Sequence, residues 1–101
     1  MNKSVGMTLR RFSKVAKKEI SADAKCFVFG SYAKGVEKKW SDIDVAVIVS
    51  KIKDVLEGEK KLRLYALDID ERINPFIFTL EDMNENSPLV WEVKKYGKEI
   101  G

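Results

Sequence analysis

The sequence predicts a small α/β domain, a mixed β-sheet flanked by helices in the order α-β-α-β-α-β-α. Three observations carry that expectation. Apolar residues at helical spacing alternate with short runs rich in aromatic and β-branched residues. One of those runs, Val45 to Val49, is apolar on both faces, as befits a strand in the middle of a covered sheet. The chain has 101 residues, near the lower end of what buries a self-sufficient core, so residues 1–101 read as one domain.

Taken in order, residues 8–20 form an amphipathic helix. Thr8 stands as its N-cap, and Leu9, Phe12, Ala16 and Ile20 fall on one face. The opposite face carries Arg10, Arg11, Lys14, Lys17 and Lys18 and reads as a solvated surface. Residues Ala24 to Phe29 make the first strand. Gly30 and Ser31 turn the chain into one or two helical turns over Ser31 to Lys34, closed by Gly35. A charged loop, Val36 to Ser41, leads to the second strand, Asp42 to Ser50, which is expected at the centre of the sheet.

A second long helix spans Lys53 to Arg72. Gly58 weakens it by about 1 kcal/mol relative to alanine, and Asp68 and Arg72 are spaced for an ion pair. The third strand is Ile73 to Thr79, and Pro75 places it at a sheet edge or marks its beginning. A helical turn near Glu81 to Glu85 precedes the last helix, Pro88 to Tyr96, which ends near Gly97.

Composition removes several chemistries. The chain has no histidine, so Ser-His-Asp and Cys-His systems and histidine zinc sites are out. Its one cysteine, Cys26, lies in an apolar strand and reads as a small buried hydrophobe. No apolar run is long enough to cross a bilayer and the basic first twenty residues lack a signal-peptide core, so a soluble cytoplasmic protein is expected. The net charge of +3, with no stacking-aromatic pattern, makes nucleic-acid binding through the first helix the weakest of three readings.

The polar ends of the first two strands carry the chemistry. A glycine at a strand-to-helix junction lets a ligand approach the backbone, and the helix start offers unpaired N–H groups that suit a phosphate. Gly30 and Ser31 hold those positions. Gly30 and Gly35 share the spacing of P-loop glycines, but Val36 and Glu37 stand where that motif requires Lys and Ser or Thr, so a P-loop is rejected. After ten residues that follow Ser31, Asp42 and Asp44 occupy alternate strand positions and project to one face. Two carboxylates so placed repel unless a cation bridges them, and Mg²⁺ suits oxygen ligands shared with substrate phosphates.

The combination of Gly30-Ser31-Tyr32-Ala33-Lys34-Gly35 with Ser41-Asp42-Ile43-Asp44-Val45 resembles the DNA polymerase β-like nucleotidyltransferase superfamily. In particular it resembles the minimal nucleotidyltransferases of HEPN/MNT toxin–antitoxin pairs. The resemblance implies the nucleotidyltransferase fold, with nucleotide binding at Gly30 and Ser31. It also implies Mg²⁺ at Asp42 and Asp44 as metal-binding and catalytic residues, with a two-metal version known in the family. The implied reaction moves a nucleoside monophosphate, AMP from ATP, to a hydroxyl such as a tyrosine of a helical HEPN-type partner, the chain being the antitoxin.

Family members usually carry a third carboxylate on the next strand, where this chain has Asn74. Asparagine offers a neutral carbonyl and no base, so one metal is more secure than two. A second reading follows: a binding subunit that neutralises its partner by contact. Lys34 is a candidate for neutralising a triphosphate, Trp40 is expected to pack its loop down, and Leu89, Trp91 and Tyr96 are candidates for partner contact.

Overall fold

The computed structural model describes residues 3–100. Its elements are α1 (Lys3–Glu19), β1 (Lys25–Phe29), α2 (Ser31–Lys34), β2 (Ile43–Val49), α3 (Val55–Ile69), β3 (Ile73–Thr79), α4 (Pro88–Tyr96) and β4 (Lys98–Glu99), with a 3-10 turn at Asp82–Asn84. The strands form one mixed sheet in the order β3-β2-β1-β4. β1 runs antiparallel to both β2 and β4, while β2 and β3 are parallel and joined by α3. β2 is therefore interior and β3 lies at an edge, where Pro75 lacks a donor for the ladder.

The strand alternation sorts the core into two layers. Val28, Ile43, Val45, Val47 and Val49 face α1 and α3, packing on Leu9, Phe12, Ala16, Leu62 and Ala66. The other face collects Phe27, Phe29, Ala46, Ile48, Phe76 and Phe78 under Val93 of α4 and Met83 of the 3-10 turn. Several of its aromatic residues stay half-buried, so this layer is thinner. The sequence places Asp44 on the same side as Ala46 and Ile48, hence on this second face.

Four details depart from the sequence reading. α1 begins at Lys3, so Thr8 lies inside the helix and caps nothing. α3 ends at Ile69, and Arg72 turns back to pair with Asp70 (2.7 Å) rather than Asp68. Trp40 is 80% exposed and does not pack its loop down. A fourth strand follows Gly97: Lys98 and Glu99 pair with Val28 and Phe27, and the Ile100 N–H donates to the Cys26 carbonyl at 2.8 Å. Two charged residues carry no strand pattern, so only the exposed edge of β1 defines them.

Local devices fix the elements. Asp54 caps α3, accepting from the Glu57 N–H at 3.1 Å, and Ser87 caps α4, accepting from the Val90 N–H at 3.1 Å. Gly58 is buried, and a Cβ there would stand 2.8 Å from Cδ1 of both Ile52 and Ile77. Its helix-propensity penalty is offset by letting α3 sit close to the sheet. The edge of β3 is blunted at alternate positions. Pro75 has no N–H, the Ile77 N–H donates to Glu59 Oε2 (2.8 Å), and the Thr79 N–H donates to Asp82 Oδ2 (2.9 Å).

Candidate active site

Antiparallel pairing brings the two half-sites together. Phe29, the last residue of β1, lies opposite Asp44 in the register, and Gly30 follows it directly. Gly30 has φ +72°, a conformation that strains L side chains. A Cβ at Gly30 would overlap Asp44 Oδ2 and lie 3.2 Å from its Cγ. Glycine is thus required twice at this position, for the turn and for the space the Asp44 carboxylate occupies. Ser31 opens α2 beside it, and Gly35, at φ +74°, closes the helix by donating its N–H to the Tyr32 carbonyl.

The parallel register sets Asn74 opposite Asp44, and the Asn74 amide donates from Nδ2 to Asp44 Oδ1 at 3.2 Å. Asp44 is half-buried, whereas Asp42, two residues before it in the chain, is exposed. Burial is the main influence on Asp44 and pushes its pKa above the usual carboxylate value. The Asn74 hydrogen bond opposes that rise, and the charges of Asp42 and Glu92 add to it. Such a group gains from a nearby cation.

The donor set fits one divalent ion. Asp42 and Asp44 offer anionic oxygens that balance a double positive charge, and Asn74 can add a neutral carbonyl oxygen. Among the described residues no cluster of three or more His, Cys, Asp or Glu side chains could hold a metal. Asp68 and Glu71 are exposed, and Asp70 is committed to Arg72, which holds its pKa below the usual value.

Two groups beside the site, Arg72 and Lys34, are held by contacts that have no local sequence signal. Arg72 grips Asp70 in a fork, with Nε and Nη2 donating at 3.1 and 2.7 Å, and donates from Nη1 to the Tyr32 hydroxyl at 3.0 Å. Its carbonyl also accepts the Ile43 N–H at 2.8 Å. One residue therefore ties α2, the start of β2 and the α3–β3 connection around the carboxylates. On the other side, Lys34 is salt-bridged to Glu92 of α4, and its Nζ lies 5.1 Å from the centre of the Tyr96 ring. Lys34 is thus held beside the site by α4. The contacts of Tyr32 with Arg72 and of Lys34 with α4 join residues 40 or more positions apart, which spacing rules do not reach. Of the α4 residues expected at a partner contact, Trp91 and Leu89 are exposed, and Tyr96 is half-buried with its ring edge-on to Trp91.

Among the described residues, no helix is long and apolar enough to cross a membrane. Comparison with known proteins adds the family. A Methanocaldococcus jannaschii protein, whose name carries an inferred protein adenylyltransferase activity, is 30% identical over 102 residues, covering 93% of this chain and all of the relative. A crystal structure of a toxin–antitoxin with AMP-PNP superimposes with TM-score 0.61 at 24% identity, over 99% of this chain and 73% of that one. The structure of a tri-AMPylated Shewanella oneidensis HEPN toxin with its MNT antitoxin gives TM-score 0.54 at 24% identity, over 94% and 72% of the two chains. The nucleotidyltransferase domain matches residues 9–98, which include both aspartates, the Gly-Ser turn and Asn74. The chain belongs to the nucleotidyltransferase domain family and is a transferase.

Proposed function

We propose that this chain is a Mg²⁺-dependent adenylyltransferase that moves AMP from ATP to a hydroxyl of a protein partner, a tyrosine of a HEPN-type protein being the acceptor. The observation that carries it is the meeting of Gly30, Asp44 and Asn74 at one point of the sheet, with Asp42 near enough for its charge to act on Asp44. The adenylyltransferase name of the M. jannaschii relative supports the reaction. The AMP-PNP and AMPylated HEPN toxin in the neighbours' complexes support the nucleotide and the partner.

In the reaction, the acceptor oxygen attacks the α-phosphorus of ATP, and the bond from that phosphorus to the β-phosphate's bridging oxygen breaks. Pyrophosphate leaves, and the hydroxyl proton passes to water or to the exposed Asp42 carboxylate. Gly30 and Ser31 cradle the phosphates at the start of α2, and Asp42 and Asp44 hold the cation. When bound, Mg²⁺ supplies charge neutralisation for the triphosphate; positioning supplies the rest. Gly30 leaves room for the carboxylate, Asp44 binds, Asn74 orients Asp44, and Arg72 keeps the walls together.

Asn74 also supports a second reading. Its amide occupies one oxygen of Asp44 and brings no negative charge, so the chain could bind nucleotide and partner and neutralise the partner by contact. One experiment separates the two. The chain is incubated with ATP, Mg²⁺ and a HEPN-type protein as candidate partner, and intact masses are read. An AMP adduct on the partner that disappears with Asp42→Ala and Asp44→Ala is the expected result. A complex that forms without any adduct, unchanged by those substitutions, would establish the contact reading instead.

A further inference from the structure

A groove of about 300 Å³ opens at the end of the sheet where β2 and β3 begin and α3 ends. Asp42 and Asn74 form one side of it; Leu64, Leu67, Arg63 and Arg72 form the other. The groove thus reaches Asp42 of the carboxylate pair, while Asp44 lies outside its lining. We propose that this groove and the outer face of α3 seat the acceptor, a protein segment that inserts an aromatic hydroxyl toward Asp42 and lays apolar and acidic side chains along the helix. The inference rests on the transferase reading and says where its acceptor binds.

α3 has two faces of different kinds. Gly58, Leu62 and Ala66 are buried against the sheet. On the opposite side Leu56, Lys60, Arg63, Leu64 and Leu67 fall within an arc of about 100°. Leu56, Leu64 and Leu67 remain 77, 62 and 64% exposed. Single exposed leucines are ordinary, but three on one stripe that runs into a functional groove mark a contact surface. Lys60 and Arg63 punctuate the stripe, and neither makes an ion pair among the described residues. The complementary surface is apolar with acidic side chains.

The chemistry of the groove selects among acceptors. Leu64 and Leu67 give it apolar walls that suit an aromatic ring, with the hydroxyl projecting beyond the ring toward the carboxylates. Asp42 and Glu71 line it against Arg63 and Arg72, so its charges balance and its apolar walls are what favour an aromatic ring over a phosphate-bearing strand.

The test uses two dye-labelled peptides, each with a tyrosine flanked by leucines, one with glutamates outside them and one with lysines. Binding to the full chain is read by anisotropy with a non-hydrolysable ATP analogue present, and AMP transfer is read by intact mass with ATP. The acidic peptide is expected to bind at least ten-fold tighter than the basic one. Leu64→Glu combined with Leu67→Glu is expected to weaken it at least ten-fold and to raise the peptide KM with little change in kcat. Arg63→Glu is expected to narrow the preference between peptides, whereas Lys14→Glu, on the far helix, leaves it intact. ATP affinity and melting temperature report that each variant is folded. Equal binding of both peptides, binding insensitive to the α3 substitutions, or transfer to the 3′-hydroxyl of a single-stranded oligonucleotide in preference to either peptide would overturn the assignment. If the acidic peptide binds as expected but receives no AMP, the transferase reading fails and the docking surface stands. If AMP moves with a KM untouched by the α3 variants, the reverse holds.

Discussion

At the scale of single residues, burial of Asp44 costs the fold stability at a position where the proposed reaction needs a carboxylate. A carboxylate raised by burial binds its proton more tightly in the folded chain than in the unfolded one. Stability therefore falls as pH rises from the ordinary value of 3.8 through the raised folded value, and the loss is complete above it. Asp44→Asn keeps the shape and removes that loss. In metal-free buffer the variant is expected to melt above the parent at pH 7, with the difference shrinking toward zero as pH approaches 3, measured by calorimetry across that range. The same variant should lose AMP transfer by about 100-fold or more, the scale of removing one preorganised electrostatic group. Asn74 makes the converse case. Asn74→Asp adds a third carboxylate beside Asp44, and Mn²⁺ titration with a non-hydrolysable ATP analogue should show bound ions rising from one to two per chain, with transfer increasing alongside. An unchanged stoichiometry would place the limit elsewhere in the site.

Among the elements, strands and helices whose patterns are local were legible from the sequence. The range of β3 was read as it stands, Pro88 to Tyr96 was read as the last helix, and Pro75 pointed to the edge. The alternation after Asp44 correctly assigned both faces of β2, because a strand covered on two sides must be apolar on both. Errors arose where packing or a competing partner, near or far along the chain, decides the outcome. Thr8 resembles a cap, yet apolar Val5 continues the helical stripe of α1 one turn earlier and is buried in the core. Arg72 is spaced for Asp68, but α3 stops at Ile69, and the fork of Asp70 offers better geometry than an extended helix would. β4 exists only because β1 has a free edge. The edge of β3 supplies a test at this scale. Glu59→Ala strands the Ile77 N–H and should cost about 1–2 kcal/mol by urea denaturation, the penalty of an unmet buried donor. A change near zero would mean that water replaces the carboxylate there.

For the whole molecule, the centre of the site was legible because both halves lie within one short stretch, from Gly30 to Asp44, and carry rigid spacing. What surrounds it was not. The clamp by Arg72 on Tyr32, the hold of Glu92 on Lys34 and the groove beside Leu67 all arise from how α3 and α4 fold back on the sheet. The blunted edge of β3 then restricts how anything can arrive at Asp42. With Pro75 silent and Ile77 and Thr79 already engaged, a visitor finds no row of free backbone donors to zip onto, so the β3 edge beside the candidate site resists extension of the sheet by an incoming chain. Entry is left to a side chain presented from a helix or a loop. For the acceptor proposed above, that geometry would let a folded partner offer one hydroxyl and withdraw it again, without unravelling a strand at each encounter.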